Sequence, residues 1–171
     1  MKRIFSHLID FALYGAIAVT LYTFVSRKLS GPSKGAEAAA IDLPVVGSTS
    51  ASRFRLAEHR GKPVLIEVFA SWCGACRSAA PAMVEAFNKH HGRGATFVGV
   101  SLDGSDEEAL RVKREWGIPY DVVRDDGKRV TAAYQIEVLP TLVLVGADGK
   151  VRRVSTGAPS ASQLDSWLTE L

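Results

Sequence analysis

Val64-Leu65-Ile66-Glu67-Val68-Phe69-Ala70 is an apolar run, rich in branched and aromatic residues and broken once by a carboxylate; Ser71-Trp72-Cys73-Gly74-Ala75-Cys76 follows it directly. Bounded by Gly61-Lys62-Pro63 and too short for a typical helix, the run reads as a buried strand. From Cys73 to His91, Ala79, Ala80, Met83, Val84, Ala86 and Phe87 recur at helical spacings until Gly92 stops the pattern. A strand therefore runs straight into a helix, and both cysteines of the chain lie at the junction.

That placement is chemically suggestive. Amide N–H groups at a helix start have no intrahelical acceptor, and the positive end of the macrodipole lies there, so a Cys73 thiolate is stabilised. A lower thiol pKa raises the population of the attacking form, and the CxxC spacing lets Cys76 reach back to Cys73 once a mixed disulfide exists. Two plainer readings compete. A zinc site would need two further ligands from His59, His90 and His91, of which the adjacent pair sits at the far end of the same helix, where imidazolium complements the dipole. A purely structural bridge across so short a loop would remove little chain entropy. Neither accounts for the pair as well as dithiol–disulfide exchange does, so no metal ligands are assigned.

Outward from this junction, a strand is expected at Ala95–Leu102, then a helix opened by the capping-box pattern Ser105 to Glu108 and ending near Gly117. A strand at Asp121–Arg124, a helix at Lys128–Tyr134, a strand at Thr141–Gly146, the turn Ala147-Asp148-Gly149, a strand at Lys150–Ser155 and a final helix capped by Ser160 to Gln163 complete the order. Alternating strands and helices imply right-handed crossovers and a largely parallel sheet, with an antiparallel hairpin near the end. The fold class is α/β, a mixed sheet flanked by helices. Glu107 to Arg111 and Arg111 to Glu115 have helical ion-pair spacing, and Arg111, Lys113 and Arg114 read as a solvated face; Gly92-Arg93-Gly94 lacks phosphate-loop spacing and reads as a helix stop.

The 171 residues suit one domain plus appendages, and 47% hydrophobic with 23% charged residues excludes disorder, collagen-like repeats and a multi-span transporter. Of the net charge of +3, the excess is N-terminal: Lys2, Arg3, Arg27, Lys28 and Lys34 stand against Asp10 alone. The rest is near neutral, without a basic face interleaved with aromatics, so nucleic acid is dropped as a partner. The flanked stretch, residues 4–25, contains the uncharged FALYGAIAVTLYTFV and is long enough for one transmembrane helix if Asp10 lies at the headgroups, with Tyr14 and Tyr22 as interfacial anchors. A cleaved secretory signal is the rival, but Arg27, Lys28 and Pro32 separate the apolar run from the small-residue site at Ala36-Glu37-Ala38. The expected organisation is a membrane anchor (residues 1–26), a flexible linker (27–42) and a domain (43–171). Bases flank both sides of the anchor, so charge alone does not orient it.

VLIEVFASWCGACRSAAP resembles the active-site segment of thioredoxin-fold proteins; Val138-Leu139-Pro140-Thr141 before a strand resembles their cis-proline loop, and Pro81 their helix proline. An extra strand–helix unit between the two motifs is similar to the membrane-tethered TlpA-like thiol-disulfide reductases, over roughly Leu43 to Leu171. The resemblance implies that Cys73 attacks and Cys76 resolves. It implies that Leu139 and a cis Pro140 offer a strand-like edge to the substrate peptide; Trp72 either joins that platform or has a plain packing role. It further implies that the domain lies on the extracytoplasmic, periplasmic side of the cytoplasmic membrane, acting on disulfide-bearing client proteins such as those of cytochrome c maturation or metal-site assembly. Glu67 stands where thioredoxins carry a buried acid, although many TlpA-like proteins are neutral there; a buried carboxylate has a raised pKa and can take the Cys76 proton, while pairing within the fold is the alternative. Ala75 stands where thioredoxins have proline, which leaves the reducing strength open.

No cofactor is expected beyond the Cys73–Cys76 disulfide itself, and with no flavin or nicotinamide motif in the sequence, turnover requires a membrane electron-donor protein. Three other activities compete: a thiol oxidase or isomerase using the same cysteines at a higher potential, a peroxiredoxin, whose threonine motif at the reactive cysteine is missing, and a non-catalytic metal carrier or docking module.

Overall fold

The computed structural model describes residues 13–22, 33–48 and 52–171. Residues 13–22 are helical (α1), with Leu13, Tyr14, Ile17, Val19, Leu21 and Tyr22 all exposed. The expected membrane span, residues 4–25, lies outside the described residues at both its ends; among the described residues no helix is long and apolar enough to cross a membrane. The chain divides into Met1–Gly31 and Pro32–Leu171, and the second unit carries the sheet.

A hairpin of β1 (Asp42–Pro44) and β2 (Arg53–Arg55) precedes a five-stranded sheet made of β3 (Val64–Phe69), β4 (Thr96–Ser101), β5 (Asp121–Arg124), β6 (Thr141–Val145) and β7 (Val151–Thr156). The order is β5-β4-β3-β6-β7. β3, β4 and β5 run parallel, whereas β6 is antiparallel to β3 and to β7. The helices are α2 (Gly74–His90), α3 (Asp106–Glu115), α4 (Arg129–Ala133) and α5 (Ala161–Thr169). The crossovers through α2 and α3 step the same way across the sheet and so, being right-handed, cover one face; the return through α4 covers the other.

The pleat of β3 sorts the core accordingly. Leu65 and Phe69 pack with Met83 of α2, Ala109 and Val112 of α3, and Leu164 and Leu168 of α5. Val64, Ile66 and Val68 face the opposite layer, with Leu43 and Phe54 of the hairpin and Val130 of α4. All six residues of β3 are buried, which is why its sequence reads as a continuous apolar run rather than an alternating one.

Three sequence expectations change on contact with the structure. The linker does not run to residue 42, nor does the domain begin at 43. Gly35 N–H donates to the Val151 carbonyl (2.7 Å), Val151 N–H to that of Ala36 (2.8 Å), and Ala38 N–H to that of Gly149 (3.0 Å), while Ile41 is buried. The segment continues beneath the sheet to its other edge, where Val46 N–H donates to the Val122 carbonyl (2.9 Å). Backbone bonds to distant strands hold it, and such bonds leave no periodic trace in small residues. His90 does not merely complement a helix end: it is buried, with Nε2 2.8 Å from Asp165 Oδ1, and this pair joins α2 to α5. The capping box at Ser160 and Gln163 closes in both directions. At α3 only half of it forms, because the Glu108 carboxylate accepts from Gly104 N–H (3.1 Å) while Ser105 Oγ accepts from Glu108 N–H (3.2 Å).

Candidate active site

At its carboxyl end β3 delivers Ala70-Ser71-Trp72 to the start of α2. Cys73 is the N-cap, with extended backbone (φ −87°, ψ 101°), and its Sγ accepts from Cys76 N–H at 3.1 Å. The two cysteines form a disulfide, Cα to Cα 5.3 Å. Their access differs: Cys76 is fully buried and Cys73 is 8% exposed. Of the two, Cys73 is therefore the more accessible.

Trp72, immediately before the pair, is 72% exposed, so packing does not account for it. Leu139–Pro140 is a cis peptide bond, and because Thr141 pairs with Val68 this loop enters at the end of the sheet where β3 delivers the cysteines. Thr141 Oγ1 donates to the Val138 carbonyl (2.6 Å) and Gly157 N–H to that of Pro140 (2.8 Å), fixing the loop, while the Val138 side chain stays exposed.

Glu67 is 1% exposed and lies on the face of β3 that bears Leu65 and Phe69, the layer that holds Cys76. Burial pushes its carboxyl up to about 7; the Tyr120 hydroxyl, donating to Oε2 at 2.7 Å, pulls the other way. Burial, and then the neighbouring carboxylate, raise the Tyr120 phenol well above its ordinary range, so it remains a donor.

Two residues of this region escaped the sequence reading. Tyr120 is one, its partner lying two strands away. Asp103 is the other: buried past the end of β4, its Oδ1 accepts from Ser71 N–H (2.8 Å) and its Oδ2 from Ser101 Oγ (2.7 Å), which ties the loop before Trp72 to β4. Ser-x-Asp after a strand is a signal for such a local polar knot. Beside it a groove of about 430 Å³ runs from Trp72 past Leu102 and Gly104 to Arg124, Lys128 and Thr131. Of the histidines weighed as zinc ligands, His59 stacks on Phe54 and His91 on Phe87. Among the described residues no group of three or more His, Cys, Asp or Glu side chains could hold a metal ion.

Similarity to known proteins converges on this geometry. ResA of Bacillus subtilis (strain 168), a thiol-disulfide oxidoreductase, is 27% identical over 153 residues, covering 90% of this chain and 84% of that protein. ResA of Bacillus thuringiensis (strain Al Hakam) is 26% identical over 170 residues, 99% of this chain and 96% of that one. The crystal structure of a thiol:disulfide interchange protein, a thioredoxin family protein from Chlorobium tepidum TLS, superposes with a TM-score of 0.71 at 26% identity, covering 82% of this chain and 98% of its own. Residues 35–154, from the first backbone bonds of the entering segment to β7, match the AhpC/TSA family, and the chain is a thioredoxin-fold member of that family.

Proposed function

We propose that the protein is a membrane-tethered, extracytoplasmic thiol–disulfide oxidoreductase that reduces disulfides in client proteins. The observation that carries this reading is the disulfide-linked pair Cys73 and Cys76 at the start of α2, with the Cys76 amide donating to Cys73 Sγ, Cys73 8% exposed and Cys76 fully enclosed. The Cys73 thiolate attacks one sulfur of a client disulfide, forming a mixed disulfide and expelling the other client sulfur as a thiolate. Glu67 takes the Cys76 proton, for which a carboxyl ionising at about 7 is well matched. Cys76 then attacks Cys73 Sγ and releases the second client thiolate. The two client thiolates take up protons, one returned by Glu67 and one from solvent, and the protein is left as the Cys73–Cys76 disulfide. A membrane electron-donor protein returns two electrons for the next cycle.

Trp72, Leu139 and Pro140 form the substrate platform, a role supported by the exposure of Trp72 and by the entry of the proline loop at the same end of the sheet. Tethering through residues 4–25 is supported by the apolar sequence and by the exposed apolar side chains of α1. Clients of cytochrome c maturation or metal-site assembly suit an anchored reductase, since both need free thiols.

The test is capture. Cys76→Ala removes the resolving sulfur, and in intact cells it is expected to accumulate client proteins linked through Cys73, identifiable by mass spectrometry; an empty trap overturns the exchange mechanism. Equilibration of the wild-type pair with glutathione gives the direction, a reductase remaining oxidised in buffers that would reduce an oxidase.

A further inference from the structure

Tyr120 immediately precedes β5, at one edge of the sheet, and its hydroxyl reaches Glu67 on β3, so its side chain must pass over β4. The residue of β4 paired with Glu67 is Gly99. A Cβ at Gly99 would lie 2.8 Å from Phe69 Cε1, 3.3 Å from Val122 Cγ2 and 3.5 Å from Tyr120 Cε2. The missing side chain thus lets Phe69 and Tyr120 close over the strand. Tyr120 is itself held from three sides: its ring lies 5.8 Å from that of Phe97 and 5.7 Å from that of Phe87, and its carbonyl accepts from Lys113 Nζ. A buried hydroxyl so fixed costs free energy unless it is paired, and the Glu67 carboxyl is its partner.

The surroundings of Glu67 offer little else that ionises. Gly99 and Leu142 flank it on β4 and β6. In its layer α2 contributes Cys76 and α5 contributes Leu164 and Leu168. Lys113 of α3 acts through the Tyr120 carbonyl, with Asp121 as its charged neighbour. The Lys89, His90 and Asp165 cluster gathers where the far end of α2 meets α5.

We propose that Tyr120 is a positioning residue for the exchange reaction: reaching over Gly99, its hydroxyl binds Oε2 of Glu67, favours the carboxylate, and leaves Oε1 as the oxygen that exchanges the proton of the enclosed thiol. No donor among the described residues reaches Oε1. The proposal rests on the reading of Glu67 as the base, and three variants of the full-length protein, two at position 120 and Glu67→Gln, separate the two claims. In Tyr120→Phe the ring packing persists and only the donor is lost; the Glu67 carboxyl, followed by carbon-13 NMR, is expected to titrate about one pH unit higher, as the loss of a hydrogen bond to a charged group implies. The rising limb of the pH–rate profile for single-turnover exchange is expected to move with it. Replacing Tyr120 with 3-fluorotyrosine, a stronger donor of nearly the same shape, is expected to shift both downward. If Glu67→Gln abolishes the limb but neither change at position 120 moves it, the assignment of Tyr120 is overturned while Glu67 stands. If Glu67→Gln leaves the limb in place, the base itself is wrong and the role of Tyr120 falls with it.

Discussion

The two ends of the sheet handle polarity in opposite ways. Where β4 and β5 finish and β6 begins, next to the cysteine pair, Ser101, Asp103, Asp125 and Thr141 are all buried and hydrogen-bonded. Asp125 accepts from Val130 N–H (3.2 Å), Thr131 N–H (2.8 Å) and Thr131 Oγ1 (2.7 Å), pinning the start of α4 as Asp103 pins the loop before Trp72. At the other end, around the β6–β7 turn, the polar contacts are exposed ion pairs, Arg60 to Glu37 at 2.9 Å and Arg152 to Asp148 at 2.8 Å. Exposed pairs are worth about 0–1 kcal/mol, whereas stranding the partner of a buried hydrogen bond costs about 1–3 kcal/mol. Within the sheet's own margins, polar groups are enclosed at the end that carries the cysteine pair and left in water around the β6–β7 turn; the one buried polar residue away from the cysteines, among the described residues outside the sheet, is His90, which joins α2 to α5.

The largest expected effect is the simplest. If Cys73 is the attacking sulfur, as proposed, Cys73→Ser should reduce disulfide exchange to the background set by buffer thiols; reductase assays with paired melts check it. Glu67→Gln comes next. Because folding lifts Glu67 from 4.5 to about 7, the folded state holds a proton that the unfolded chain releases between those values. This stabilisation is complete below about pH 4.5 and disappears as the pH rises through about 7, a change on the order of 3 kcal/mol. Denaturant titrations from pH 4.5 to 8 should show that decline in the wild type and lack it in Glu67→Gln.

Two further substitutions put the ends directly against each other. Asp103→Ala strands Ser71 N–H and should cost about 1–3 kcal/mol while slowing exchange through a loosened Trp72–Cys73 loop. Arg60→Ala removes an exposed pair and should cost less than about 1 kcal/mol with exchange untouched. If chemical denaturation and kinetics gave equal losses at both sites, the distinction between the ends would be broken.

The legible parts of the molecule are those whose signal is local. β3 and α2 show in apolar spacing, and the β5 bounds expected from the sequence are those observed, because the short branched run is delimited by a proline-containing turn and an Asp-Asp-Gly turn. Glu67 stands out because a carboxylate in an apolar strand is conspicuous. Tyr120 does not, since a tyrosine ahead of a strand is ordinary and its meaning depends on a glycine in another strand. The hairpin was hidden for a similar reason: strands of three residues, DLP and RFR, are too short to establish a period. Asp103 was readable in principle from Ser101-Leu102-Asp103, but the loop it fixes lies 32 positions earlier in the chain.

The ribbon from Gly35 to Val46 has a further consequence for handling the protein. It bonds to β7 at one border of the sheet and to β5 at the other, so it shields unpaired backbone along both margins, the places where strands of separate molecules join and precipitate. A fragment trimmed to residue 43 would keep every residue proposed for chemistry yet uncover the β7 margin, and would be expected to self-associate. Starting at Ser33 should keep that margin covered.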